Sequence, residues 1–473
     1  MVDKSYEKIY EWDKLIKLFE EFVPELVNMQ SNLREHDIVK DLPLEEKKEL
    51  KAIGFSENGR DPSEVTRELI DSVYPYRMRT NHPRYFCFIP NDISPYSVFG
   101  EFLNSIHNPY GGGFSISGGT STLENETIGW MGSLIGYDKE KLGGQFVSGG
   151  SMANLTAAIV ARDDKLKPEE FIKGTVYVSD QTHSSVAKAI HIMGLPKKNV
   201  RIVPTTEDFK MNVDELEKMI KDDITKGFKP FLLVGSCGTT NTGSIDPLEK
   251  LGKIAEEYDL WYHVDGAYGA STLLSSHRDM LNGIEKSDSV SWDGHKWLFQ
   301  TYGCGAVICR DKMKLVRTFH ANPEYLKDVE STDEEFNFWD MGIELTKPVR
   351  GMKLWFTLQT VGLDAMRKAI DQGFVIADWV EEEVLKYDNF EIVSKSQMGI
   401  INFRFVSDKY TEEELDNINR NLSQRALKEN YAAFLTTTLR GKVVLRFCCN
   451  NPLTTRDEIS EIIGDIQKWI EEA

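Results

Sequence analysis

FLLVGSCGTTNTGSIDPLEKLGKIAEEYDLWYHVDGAYGA, residues 231–270, contains the fold in miniature. FLLVGS (231–236) is a continuous apolar run of strand length. DPLEKLGKIAEEYD (246–259) changes to the i, i+3, i+4 spacing of an amphipathic helix, and WYHVDG (261–266) is a second apolar run. Two strands without polar alternation, joined through a helix, predict parallel neighbours buried on both faces.

The same alternation extends outward in both directions. VYVS (176–179) precedes SSVAKAIHIMG, RIVP (201–204) precedes VDELEKMIKDDITKG, and SVSWD (289–293) and GAVICR (305–310) follow. The expected class is therefore α/β, a doubly wound and mainly parallel sheet occupying 81–340, with ligands at the carboxyl ends of its strands. Residues 1–80 read as a helical arm. MVDKSYEKIYEWDKLIKLFEEF places Ile9, Trp12, Leu15, Ile16, Phe19 and Phe22 on one face, and Pro75 and Pro83 close the region. Residues 341–473 read as a small α+β domain. It opens with the helix-like MKLWFTLQTVG and continues with the strands FEIVS, GIINFRFV and KVVLRFCC.

Composition narrows the function. With 473 residues, 41% hydrophobic and 28% charged, the chain is globular and large enough for several units. Lys plus Arg is 56 against 75 Asp plus Glu, and the net charge of −19 disfavours nucleic acid and anionic membrane partners. The six cysteines form neither a CxxC pair nor a disulfide framework, and the N-terminus lacks the apolar core of a signal peptide, which together predict reduced thiols in a cytoplasmic protein. GxxxxGK[ST], GxGxxG after a strand, HExxH and GxSxG are all absent. P-loop, Rossmann, zincin and α/β-hydrolase chemistry thereby lose their sequence support.

Four loops after strands carry the chemistry. In QFVSGGSMANLTAAIVARD, Gly149 and Gly150 lead into a helix expected to start at Ser151, forming an anion cradle or a plain capped turn. In LWYHVDGAYGA, Asp265 ends an apolar strand and calls for a cationic partner; a metal held by His263 and Asp265 is the weaker alternative, for want of a third ligand. In SVSWDGHKWLFQTYGCGAVICR, Lys296 lies between His295 and Trp297 in apolar company, the setting of a carbonyl nucleophile. In YVSDQTHSSVAKAIHIMG, His183 enters a helix, where it can cap, pair or stack on a planar ring.

Taken together, SGGSMAN, SDQTHSS, HVDGAYGA and WDGHKW resemble the group II decarboxylases of fold type I, which use pyridoxal 5′-phosphate (PLP). The resemblance runs from NHPRYFCF (81–88) to VLRFCC (444–449) and is greatest to bacterial aromatic amino acid decarboxylases. It implies that Lys296 carries PLP as an imine and that Asp265 pairs with the pyridine nitrogen. It also implies that His183 and Ala267 flank the ring, that Gly150, Ser151 and His295 hold the phosphate, and that Thr240 lies near the ring's polar edge. Arg446 is the implied carboxylate contact, or a neighbour of it. Tyr325, in HANPEYLKDVESTDEEFNFWDMG, is the implied proton donor, whereas animal relatives carry their tyrosine where this chain has Phe336.

Phe86, Phe88, Ile89, Tyr110 and Trp339 match regions lining the substrate pocket of relatives, and suit an indole or phenyl group. The implied reaction is decarboxylation of an aromatic L-amino acid, tryptophan or phenylalanine before tyrosine, by a homodimer whose N-terminal helices embrace the partner. An aromatic acetaldehyde synthase is one alternative. A glutamate-type decarboxylase, with Arg84 or His82 supplying a cation, is another, and a noncatalytic α/β binding protein is the third.

Overall fold

The computed structural model describes residues 5–55, 57–90, 92–321 and 336–472. The arm holds α1 (Trp12–Ser31), α2 (Leu44–Ala52) and α3 (Pro62–Ser72), followed by α4 (Pro95–His107) and α5 (Phe114–Ile135). The α/β layer runs β1 (Gly143–Val147), α6 (Gly150–Lys165), β2 (Gly174–Ser179), α7 (Ser184–Ile192), β3 (Val200–Val203), α8 (Val213–Thr225), β4 (Lys229–Ser236), α9 (Leu248–Glu257), β5 (Trp261–Asp265), β6 (Ser289–Asp293), β7 (Gly305–Cys309) and α10 (Lys312–Phe319). The C-terminal part comprises α11 (Met352–Val384), β8 (Phe390–Ser394), β9 (Ile400–Phe405), α12 (Glu412–Lys428), β10 (Leu435–Leu439), β11 (Lys442–Cys448) and α13 (Arg456–Glu471). Local chemistry sets many of the ends. Asn212 caps α8 through the amides of Asp214 and Glu215, and Thr455 with Glu458 forms a capping box on α13.

The large sheet has the order β1-β7-β6-β5-β4-β2-β3. The pairs from β3 through β6 are parallel, as expected, but β7 runs antiparallel to both β6 and β1. The connection from β6 to β7, residues 294–304, is too short for the helical crossover that parallel pairing requires. Strands β1, β2, β5, β6 and β7 are buried along their whole length, which accounts for their unbroken apolar reading.

The second sheet, β10-β11-β9-β8, is wholly antiparallel. The segment after Pro83, expected to belong with the large sheet, lies instead along this one. Phe86 N donates to Ala433 O (2.6 Å), Cys448 N donates to Phe86 O (3.0 Å), and the Phe86 ring stacks on Phe447. All six cysteines are buried and unbridged. Among the described residues no helix is long and apolar enough to cross a membrane. On the arm, Ile9, Trp12, Ile16 and Val27 are all more than half exposed, and Phe22 is the buried residue of α1.

Candidate active site

Because β1, β2, β4, β5 and β6 point the same way, their carboxyl ends form one edge, and Ser236, Asp265 and Asp293 are the last residues of β4, β5 and β6. A cavity of about 340 Å³ opens at this edge. Gly150, Ser151, His183, Thr240, Asp265, Ala267, His295 and Lys296 all line it. Segments scattered between Gly150 and Lys296 thus converge on one space.

Asp265 is 9% exposed and accepts three hydrogen bonds: from Asn154 Nδ2 (2.9 Å), Ala267 N (3.1 Å) and Ser291 Oγ (3.1 Å). Burial alone pushes its pKa up, but the charge of Lys296, His263 and these donors outweigh burial and hold the carboxyl below its ordinary value. A permanent carboxylate therefore faces the cavity.

Both ring nitrogens of His263 have partners within the protein. Its Nδ1 lies 2.8 Å from Ser289 Oγ and its Nε2 lies 2.9 Å from Asn154 Oδ1, and no cluster of three potential ligands exists among the described residues. Burial lowers its pKa to about 4, so the ring is neutral near pH 7. Donor logic then orders a chain across the site. Trp261 Nε1 donates to Ser289 Oγ, which leaves the Ser289 hydroxyl to donate to His263 Nδ1 and His263 Nε2–H to donate to Asn154 Oδ1. Asn154 Nδ2 donates to Asp265 and to Ser185 Oγ (3.0 Å), and Ser185 Oγ is 2.8 Å from His183 Nδ1.

His183 is the N-cap of α7, its Nδ1 accepting from Ser185 N at 3.2 Å, so the capping option holds alongside its place on the cavity. Ser151, expected to open and cap its helix, does not. The helix begins at Gly150, since Met152 N and Ala153 N both donate to Gly149 O, and its cap, Gly149, has no side chain to bond with. The Ser151 side chain is thereby left exposed at the cavity. A Cβ on Gly150 would sit 2.9 Å from Ala267 Cβ and 3.1 Å from Asp293 Oδ2, and one on Gly149 would sit 3.1 Å from His295 Cε1. Only glycine keeps this helix end open to an anion.

The expected substrate residues do not join this cavity within one chain. Tyr110 and Trp339 pack edge to face at 6.1 Å, with Tyr110 Oη donating to Leu345 O, and Phe88 is half exposed. Arg446 is buried. Its Nε and Nη2 donate to Thr240 O (3.1 and 2.6 Å) and its Nη1 donates to Cys87 O (2.8 Å), so it reaches the cavity through the Thr240 backbone. Arg84 pairs with Glu461 and Glu458, and burial pushes His82 down to about 4; neither offers a cation to the cavity. Tyr325 lies outside the described residues. Sequence reasoning missed Asn154, Ser185 and Ser291. Asn154 stands one helical turn beyond Gly150 in SGGSMAN, which is the signal that could have found it.

The open helix end, the fixed carboxylate and the lysine fit PLP's phosphate, ring nitrogen and aldehyde. Comparison with known proteins agrees. The pyridoxal-dependent decarboxylase conserved domain matches residues 45–406. An aromatic-L-amino-acid decarboxylase of Bacillus atrophaeus is 39% identical over 88% of this chain and 87% of its own length. A phenylacetaldehyde synthase of Petunia hybrida is 31% identical over 82% and 81%. Among solved structures, Oryza sativa TDC with PLP and tryptamine superposes with a TM-score of 0.91 at 26% identity, covering 97% of this chain and 98% of that one. Catharanthus roseus tryptophan decarboxylase in complex with L-tryptophan gives 0.90 at 25%, covering 98% and 99%. The chain thus belongs to the pyridoxal-dependent decarboxylase family and is a PLP-dependent carboxy-lyase of fold type I.

Proposed function

We propose that this enzyme decarboxylates an aromatic L-amino acid, tryptophan or phenylalanine before tyrosine, to the arylalkylamine and CO₂. The observation that carries the reading is the convergence of Lys296 and a triply hydrogen-bonded Asp265 on one cavity, in a chain 39% identical to an aromatic-L-amino-acid decarboxylase. Bound PLP supplies an electron sink for the pair left at Cα when CO₂ departs.

The chain's own residues do the rest. Lys296 Nζ anchors the cofactor and yields to the substrate amine. Asp265, kept ionised, holds a proton on the pyridine nitrogen. His183 and Ala267 confine the ring, and the amides at the start of α6, with Ser151 and His295, take the phosphate. Thr240, its carbonyl clamped by Arg446, borders the ring's polar edge. Tyr325 delivers the proton to Cα. Phe88, Tyr110 and Trp339 form the aromatic wall once two subunits meet, and Arg446 borders the carboxylate. The exposed apolar stripe of α1 supports a homodimer joined through the arm, and the six unbridged thiols support a cytoplasmic location.

Aldehyde formation is the second reading, favoured by the likeness to phenylacetaldehyde synthases. Incubation with tryptophan, phenylalanine, tyrosine and glutamate separates the two. Stoichiometric CO₂ and aromatic amine without hydrogen peroxide support decarboxylation, whereas aldehyde with peroxide, or turnover of glutamate alone, refutes it.

A further inference from the structure

Two carboxylates border Lys296, and their surroundings differ. Every oxygen of Asp265 already faces a donor. Asp293, at the end of β6, is 2% exposed; its Oδ2 lies 3.3 Å from Lys296 Nζ and 3.5 Å from His295 Nε2. Its Oδ1 is buried with no hydrogen-bond partner among the described residues. Burial lowers the pKa of His295, against the pull of Asp293, and Lys296 Nζ is the nearer of the two basic nitrogens beside Asp293 Oδ2. A proton placed on Asp265 would go to an oxygen that already accepts a hydrogen bond, one on Oδ2 or two on Oδ1. On Asp293 the only contacts a proton would meet among the described residues are those of Oδ2 with Lys296 and His295, and Oδ1 has none to lose.

We propose that Asp293 is the proton acceptor for Lys296. This rests on the reading of Lys296 as the cofactor's anchor. An ammonium nitrogen has no lone pair, so a proton must leave Nζ before it can attack a carbonyl carbon. That proton passes to Asp293 Oδ2, giving a neutral amine beside a neutral carboxylic acid. The Nζ lone pair then forms the bond to the aldehyde carbon of PLP while the C=O π pair moves to oxygen. The oxygen leaves as water with two of the three original nitrogen protons, and the third stays shared between Nζ and Asp293. No oxidant, reductant or further reactant is needed.

The other groups facing this pair are Asp265 with His263 from β5, Cys304 ahead of β7, and Lys353 of α11, whose charge is met by Glu101 at 2.9 Å. The start of α6, GSMANLTAAIV, carries no titratable side chain.

The test is the rate at which PLP attaches to the apoprotein, followed by absorbance and confirmed by borohydride trapping. Asp293→Asn attaches PLP at least about tenfold more slowly than wild type near neutral pH. The deficit closes toward about pH 10, where a lysine ammonium gives its proton to water unaided, and Asp293→Glu recovers part of the rate. A rate for Asp293→Asn equal to or above wild type at neutral pH overturns the proposal and makes Asp293 a mere counter-ion. Wild type alone gives a second measurement. Transfer inside an ion pair leaves the rate nearly flat from about pH 7 to about pH 9, whereas a tenfold rise per pH unit means the proton leaves to water and also overturns it. Absence of attachment in wild type refutes the role of Lys296 instead.

Discussion

Replacing Asn154 by leucine probes how the site's charge is held in place. Leucine matches asparagine in size and brings no water, so the change removes hydrogen bonds without opening a cavity. Asp265 Oδ2 loses the donor at 2.9 Å, a bond to an ionised group worth about 1.5–3 kcal/mol. His263 Nε2–H, whose acceptor is Asn154 Oδ1, is left buried and unpaired at a cost of about 1–3 kcal/mol. Added apolar burial offsets about 1–2 kcal/mol. The net loss is about 3 kcal/mol, roughly two powers of ten in the folding equilibrium.

Denaturant unfolding followed by tryptophan fluorescence should show a lower midpoint with an unchanged slope. The loss has a pH signature. Asp265 has a depressed folded pKa, so its contribution is present above its unfolded value near ~3.9 and fades as pH falls through the folded value. The gap between wild type and variant should be widest near neutrality and narrow below about pH 4. A loss under about 1 kcal/mol at neutral pH would refute the account of Asp265 as held by its donors.

Two further outcomes follow from the same geometry. His263 titrates near 4 when folded and near 6.5 when unfolded, so the unfolded chain binds the extra proton between those values. His263 should contribute a fall of roughly 3 kcal/mol as pH drops from about 6.5 to about 4, and an unfolding series on His263→Gln should show a shallower slope that retains the share of His82, whose pKa is lowered in the same way. Gly150→Ala places a methyl against Ala267 and Asp293; titration with PLP should show affinity reduced at least about tenfold, with stability lowered by about 1–3 kcal/mol.

The parallel core was legible because buried strands have a plain signature: FLLVGS and WYHVDG are mostly apolar with no alternation, and a helix of the right period separates them. Strand direction has no such signature. The antiparallel β7 was not foreseen; its one signal is the short 294–304 connection, and composition could not supply it. β10, LTTTL, was missed because three threonines in a half-exposed hairpin strand look like loop. Asp265 and Lys296 stood out because a charge in apolar company demands a partner. Their supporters did not, since Asn154 and Ser185 are ordinary helix residues whose value arises from contacts 111 and 31 positions apart. The aromatic residues were legible as types but not as a site, because in one chain Phe88 faces outward while Tyr110 and Trp339 face each other.

The most direct test of the central claim is borohydride reduction of the PLP-loaded enzyme followed by peptide mass mapping. The expected result is a phosphopyridoxyl group on Lys296, and a Lys296→Ala variant that folds, carries no such group and does not turn over. An adduct on a different lysine, or sustained decarboxylation by Lys296→Ala, would contradict it.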